Sequence, residues 1–149
     1  MADHIPSEIH NMCTINALCL ESLPEFLERL VWFKDTKNTY GVSMNFTLNI
    51  LRFPSFQSPL VLPDDLRNMF KQNLEKFLRQ FGSLLEEMEI NQVQRLVDYL
   101  DVVKTPHKDS ASVDKLRKDF KTFYTQYDER RGKNFEKTFP IIGEWYRGL

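Results

Sequence analysis

The chain has two cysteines, Cys13 and Cys19, with five residues between them. Zinc and iron–sulfur sites need thiolates in closer and more numerous sets, so this pair predicts no metal centre. Both lie in or beside an apolar stretch and are expected to be buried structural thiols. The histidines His4, His10 and His107 are scattered and make no ligand spacing. His4 and His10 fall in a tail expected to fray, and His107 sits in a polar run among lysines, where a solvated imidazole is expected. Glu86, Glu87 and Glu89 cluster on one predicted helix and read as a wet face. No Ser-His-Asp order, P-loop or G-x-G-x-x-G occurs.

Two stretches remain whose side chains could bind something. In "GVSMNFTLNIL" the polar residues Ser43, Asn45, Thr47 and Asn49 alternate with Val42, Met44, Phe46, Leu48 and Ile50. Asn45, Thr47 and Asn49 are therefore either the polar wall of a cavity or a solvated strand face. Arg52 follows directly; its guanidinium could clamp a carboxylate or phosphate, or pair with an acid in a loop. The second stretch is "YDERRGKNFEKTFP", residues 127–140. Arg130, Arg131 and Lys133 near aromatic rings suggest a nucleic-acid patch, but Asp128, Glu129 and Glu136 cancel much of that charge, so nucleic acid is not an expected partner. The same residues read well as a helix end. Gly132 suits a left-handed C-cap, the two arginines suit the negative end of the helix dipole, Asn134 can cap the next turn, and Phe135 and Phe139 can fold back as anchors.

The elements that must carry these residues follow from periodicity. "NMCTINALCL" (Asn11–Leu20) reads as a short strand with Thr14 and Asn16 on one face. Ser22-Leu23-Pro24-Glu25 has the form of a capping box, and Phe26, Leu27, Leu30, Val31 and Phe33 make the helical stripe behind it. Asn38 and Gly41 end that helix. The period-two run then gives a second strand. Strand, helix, strand over about forty residues is a βαβ unit with parallel strands. After a proline-containing loop, Leu66, Met69, Phe70, Leu74, Phe77, Leu78 and Phe81 form one helical stripe. Gly82 interrupts, and Leu85, Met88, Val93, Leu96, Val97 and Leu100 form the next. Lys104–Ser112 is a polar linker. Val113, Leu116, Phe120, Phe123, Tyr124 and Tyr127 mark a last long helix, and a short helical segment near 141–146 closes the chain. The expected fold class is α/β: one domain over 1–149, with a small parallel βαβ unit at 11–52, helices at 64–103 and a C-terminal helix and closing segment at 112–146.

At 149 residues, 42% hydrophobic and 28% charged, the composition is that of an ordinary globular domain. A domain of this length buries about 70% of the surface of its unfolded chain without disulfides. A formal net charge of -1 supplies no bulk field toward DNA or an anionic membrane. No apolar stretch approaches the ~20 residues of a membrane span, and "MADHIPSEIH" is not a signal peptide. Cysteine usage without a disulfide framework points to a reducing, cytoplasmic setting. A parallel strand pair wants both faces covered, so the polar face of the second strand is expected to meet water, a ligand or more polypeptide.

Several segments together resemble the C-terminal half of radical SAM enzymes of the twitch type, whose barrel is partial. They are "MCTINALCLESLPEFLERL", "NFTLNILRFPSFQSPLVLPDDLR", "RLVDYLD" and "KDFKTFYTQYDERRGKNFEKTFP". The family's marks are a strand ending in an "LRYP"-like run, then "LP" and a helix, and later "DxxRG" with a downstream "FP". They fall here on Leu51-Arg52-Phe53-Pro54, Leu62-Pro63, Asp128 to Gly132, and Phe139-Pro140. The resemblance implies a partial radical SAM-like barrel and the cofactors S-adenosylmethionine and a [4Fe-4S] cluster. Three cysteines in C-x3-C-x2-C hold that cluster; this chain lacks the triad and the accompanying Gly-rich segment. The resemblance therefore implies a truncated or split protein that binds neither cofactor alone and depends on an N-terminal radical SAM half. It also implies that Thr14, Asn16, Asn45, Thr47 and Asn49 face the barrel interior, with Arg52 at the carboxyl end of the strand, where ligands collect. The alternative is a non-enzymatic helical interaction module whose open sheet face is covered by self-association.

Overall fold

The computed structural model describes residues 7–38, 41–101 and 112–149. His4, His107 and nearly all of the predicted linker lie outside the described residues, as do residues 102–103 of the predicted helical region. Strands β1 (Ser7–Ile15) and β2 (Val42–Ile50) flank helix α1 (Leu23–Asn38). They pair in parallel, in an unbroken register from Ser7 beside Val42 to Ile15 beside Ile50. The βαβ unit thus starts at residue 7 rather than 11. Residues 7–10 are exposed, so no apolar alternation marks them, and His10 belongs to the paired strand instead of a frayed tail. The predicted strand also ends early. Asn16 Oδ1 accepts from the backbone N–H of Leu18 (3.0 Å) and Cys19 (3.1 Å), and this turns the chain into a short 3-10 segment, Cys19–Glu21. An Asx turn of this kind outcompetes continued pairing.

Alternation along both strands sorts the sheet into two faces. Phe46 and Leu48 of β2 and Ile15 of β1 are buried, with Cys13 and Met44 packed at the margin of the same core. Both cysteines are half-buried, so neither is fully enclosed as expected. Over this face lie α1 and α3 (Glu87–Asp101), and α2 (Asp64–Phe81) packs against both helices. Of the predicted stripes, Leu27, Leu30 and Val31 of α1, Phe70, Leu74 and Phe77 of α2, and Val93, Leu96 and Val97 of α3 are buried. Phe26 and Phe33, predicted on the buried stripe of α1, are exposed together with Trp32. Glu25 reaches forward to Arg29 (2.7 Å) rather than back to the helix start.

Glu89 corrects the expectation of a wet acidic face. It is 1% exposed, accepts from Lys34 Nζ of α1 at 2.6 Å, and closes the first turn of α3 by accepting from the backbone N–H of Glu86 (2.8 Å). Both donors meet Oε2, and the buried Oε1 has no partner among the described residues, so the cation offsets only part of the cost of burying this charge.

The remaining helices form an aromatic corner. Helix α4 (Val113–Arg131) ends at Gly132 with φ 58° and ψ 37°, the left-handed cap expected of it. Asn134 Oδ1 accepts from Lys137 N–H at 2.8 Å and opens α5 (Phe135–Thr138), which is followed by α6 (Pro140–Arg147). Phe120 is fully buried, with ring centroids of Tyr124, Trp145 and Phe135 at 4.7, 5.4 and 5.8 Å. Phe135 stacks on Tyr146 at 4.1 Å. Gly143 lies so close to α5 that a Cβ there would stand 2.8 Å from Glu136 Cα. Glu21 ties this corner to the βαβ unit: its carboxylate accepts from the N–H groups of Ile141 (3.0 Å) and Ile142 (3.1 Å), where the N-terminus of α6 favours negative charge. Among the described residues no helix is long and apolar enough to cross a membrane.

Candidate functional site

The face of the sheet turned away from the helices carries Glu8, His10, Met12 and Thr14 of β1 beside Ser43, Asn45, Thr47 and Asn49 of β2. These side chains bond one another across the strands. Asn45 Nδ2 donates to Glu8 Oε1 (3.0 Å), and the His10 ring bridges Asn45 Oδ1 and Thr47 Oγ1, the latter at 3.2 Å. One neutral tautomer satisfies both, with Nδ1–H donating to Asn45 and Nε2 accepting from the Thr47 hydroxyl. Thr14 and Asn49 are neighbours in register at the carboxyl end of the face and are exposed. Met12 is 75% exposed among them. Asn45, Thr47, Asn49 and Thr14 therefore share one surface, as expected. Asn16 does not join them, because its side chain is spent on the Asx turn and on the Cys19 thiol (3.1 Å). Arg52 is exposed, with its guanidinium 5.7 Å from the centroid of the Tyr99 ring.

The two edges of the sheet differ. Leu51 N–H donates to Ile15 O at 2.8 Å, which makes the odd residues of β1 the ones bonded to β2 and turns the N–H and C=O groups of the even residues outward. The outer edge of β2 is served by α3: Leu48 N–H donates to Gln92 Oε1 (3.1 Å), and Leu48 O accepts from Arg95. On the outer edge of β1, Thr14 O accepts from the Cys19 thiol at 3.5 Å. The outward backbone groups of Glu8, His10 and Met12 have no protein partner among the described residues.

A second candidate lies past the carboxyl ends of the strands. Leu18, three residues beyond β1, lines a cavity of about 540 Å³ with Phe123, Tyr124, Tyr127, Phe135 and Phe139; Asp128, Lys133 and Thr138 complete it. Phe56, in the loop after β2, meets Phe123 at 5.4 Å. The apolar stripe predicted for α4 is divided here. Phe120 and Tyr124 are buried, while Phe123 and Tyr127 are 41% and 45% exposed and form cavity wall rather than core. Burial pushes the Tyr124 phenol up to about 12, with smaller contributions from Cys19 and Tyr127. Burial likewise raises the Cys13 thiol, assisted by Cys19. Asp128 is engaged, accepting from Phe135 N–H through Oδ2 at 2.7 Å.

Glu8 carries no signal in the sequence, and His10 reads there as part of a frayed tail, because the exposed half of a strand has no apolar signature; extending the even-numbered face backward from Thr14 reaches both. Nothing local marks Glu21, whose partners are 120 positions away. The cluster implied by the family resemblance does not fit this chain. Among the described residues no group of three His, Cys, Asp or Glu could hold a metal ion, and the two thiols cannot replace a triad. In comparisons with protein-family models, with curated proteins and with solved structures, nothing matches this chain.

Proposed function

We propose that this chain acts as the C-terminal portion of a twitch-type radical SAM protein, completing a partial barrel whose cluster-bearing strands belong to an N-terminal half. The observation that carries this reading is the asymmetry of the sheet. Its helical face is covered and its β2 edge is served by α3, while among the described residues nothing covers the polar face or pairs with the β1 edge at Glu8, His10 and Met12. Parallel strands are ordinarily covered on both faces, and a bare edge is a template for another strand. A preceding parallel strand would add beside β1, and Asn45, Thr47, Thr14 and Asn49 would then face the barrel interior with His10 and Glu8. On this reading the chain binds and orients; the N-terminal half supplies S-adenosylmethionine cleavage.

The test is coexpression with the product of the reading frame immediately upstream of Met1, followed by anaerobic reconstitution with iron and sulfide. The expected result is a stable complex with cluster absorbance that releases 5′-deoxyadenosine from S-adenosylmethionine. Met12→Pro, placed on the bare edge, should abolish assembly while leaving the isolated chain folded. An upstream product without C-x3-C-x2-C, or one that assembles equally with Met12→Pro, overturns the reading.

A second reading, a non-enzymatic interaction module, is favoured by the exposed Phe26, Trp32 and Phe33 on α1. It predicts a homodimer of the isolated chain that Trp32→Lys dissociates, as measured by sedimentation equilibrium; a strict monomer eliminates it.

A further inference from the structure

We infer that the cavity between α4, α5 and the turn after β1 binds a small ligand with a flat aromatic body and a single anionic group. This goes beyond the preceding reading and does not depend on it, since no residue of the sheet face takes part. The volume of about 540 Å³ lies within the range of small-molecule sites, roughly 300–1,000 Å³. Five of its nine lining residues are aromatic, so an inserted ring would meet other rings edge-on or offset, as aromatic pairs prefer. Those walls are held by the core behind them. Tyr124 packs 5.0 Å from Phe123 and 5.2 Å from Phe135, and Phe135 packs 5.1 Å from Phe139. The cavity therefore does not need the ligand to form.

Charge selects the ligand's polar end. Two charged residues line the cavity, Asp128 and Lys133. The Asp128 carboxylate keeps its charge but has Oδ2 engaged by Phe135 N–H at the first turn of α5, while Lys133 has no ion-pair partner among the described residues. Phe123 and Tyr127 also wall an adjoining hollow of about 180 Å³ that Arg130 and Arg131 line. Lys133 thus lies in the cavity itself, and Arg130 and Arg131 line the hollow that shares its aromatic wall. Glu129, on the same helix, lines neither space. An aryl carboxylate, with its ring among the phenyl groups and its carboxylate toward Lys133, matches this arrangement.

The experiment is a titration of the full chain, followed by amide chemical shifts, with indole-3-propionate and with its neutral amide. Both probes should saturate and perturb Leu18, Phe123, Tyr127 and Phe135, and the carboxylate should bind about 2- to 5-fold more tightly, as a solvent-accessible charge pair allows. Lys133→Ala should remove that preference without weakening the amide. Thr138→Trp, which fills the cavity from an exposed position, should abolish binding of both; Tyr127→Ala should weaken both and serves if Thr138→Trp does not fold. Absence of saturable binding by either probe overturns the inference. So do perturbations confined to other surfaces, or a carboxylate preference that persists in Lys133→Ala. A failed assembly with an upstream partner leaves these outcomes unaffected, so this inference and the proposed function fail separately.

Discussion

At the strand pair, polar side chains bond one another over an exposed surface, and the helices lie on the other side. At the C-terminal corner, rings from α4, α5 and α6 close on one another, and polar groups serve mainly to cap helix ends. The first region is ordered by backbone pairing and keeps a surface to spare. The second is ordered by packing and leaves a cavity where its aromatic stripe is wider than its core. Uncovered surface thus arises in two ways among the described residues: a sheet face with no helix over it, and a helix with more rings than the core holds.

If packing carries the corner, truncating its central ring should have the largest effect. Phe135→Ala removes a 3% exposed side chain in contact with four other rings and should cost about 3–5 kcal/mol, read from the midpoint of urea unfolding. A loss below about 1 kcal/mol would place the stabilising core elsewhere.

Alkaline pH tests the same corner through Tyr124. Its phenol is neutral in the folded chain up to about 12, whereas in the unfolded chain it ionises near 10. The folded state therefore holds the proton more tightly, and this contribution is fully present below pH 10 and lost as pH rises from about 10 through 12. At about 1.4 kcal/mol per unit, the stability of wild type should fall through that window more steeply than that of Tyr124→Phe. Parallel curves would separate Tyr124 from the core.

Gly143→Ala probes close approach. Its Cβ would meet Glu136 Cα at 2.8 Å, forcing α5 and α6 apart at a cost of about 1–3 kcal/mol; thermal unfolding reads this directly. Glu21→Gln probes the tie between the two regions. It keeps the shape but removes the charge accepting from Ile141 and Ile142, and should cost about 1 kcal/mol. Hydrogen exchange should rise at those two amides and not in β1. The smallest effect belongs to the sheet face. Asn45→Ala should change stability by no more than about 0.5 kcal/mol, since its bonds to Glu8 and His10 lie in solvent. A large loss would show that the polar face supports the fold as well as presenting a surface.

Much of the architecture is legible in the residues. The alternation from Val42 to Ile50 marks β2 and its buried face. The stripes of α2 and α3 contain their buried apolar residues, although Met88 on the predicted stripe is exposed and Arg67 and Glu89 are buried off it, and Gly132 and Asn134 mark the helix end and the next start. Part of the candidate surface is legible too, because Asn45, Thr47 and Asn49 must share a side once β2 is a strand. Period and cap chemistry are local, acting over a few residues, and a sequence displays them openly. The rest depends on contacts between distant segments. Glu89 is buried because Lys34 of another helix meets it, and Glu21 caps α6 across the fold. Tyr124 is core while Phe123 beside it is cavity wall, although both fall on the predicted stripe. Apolar character records that a ring prefers to leave water, and only the placement of α5 and α6 decides how many rings find room to do so.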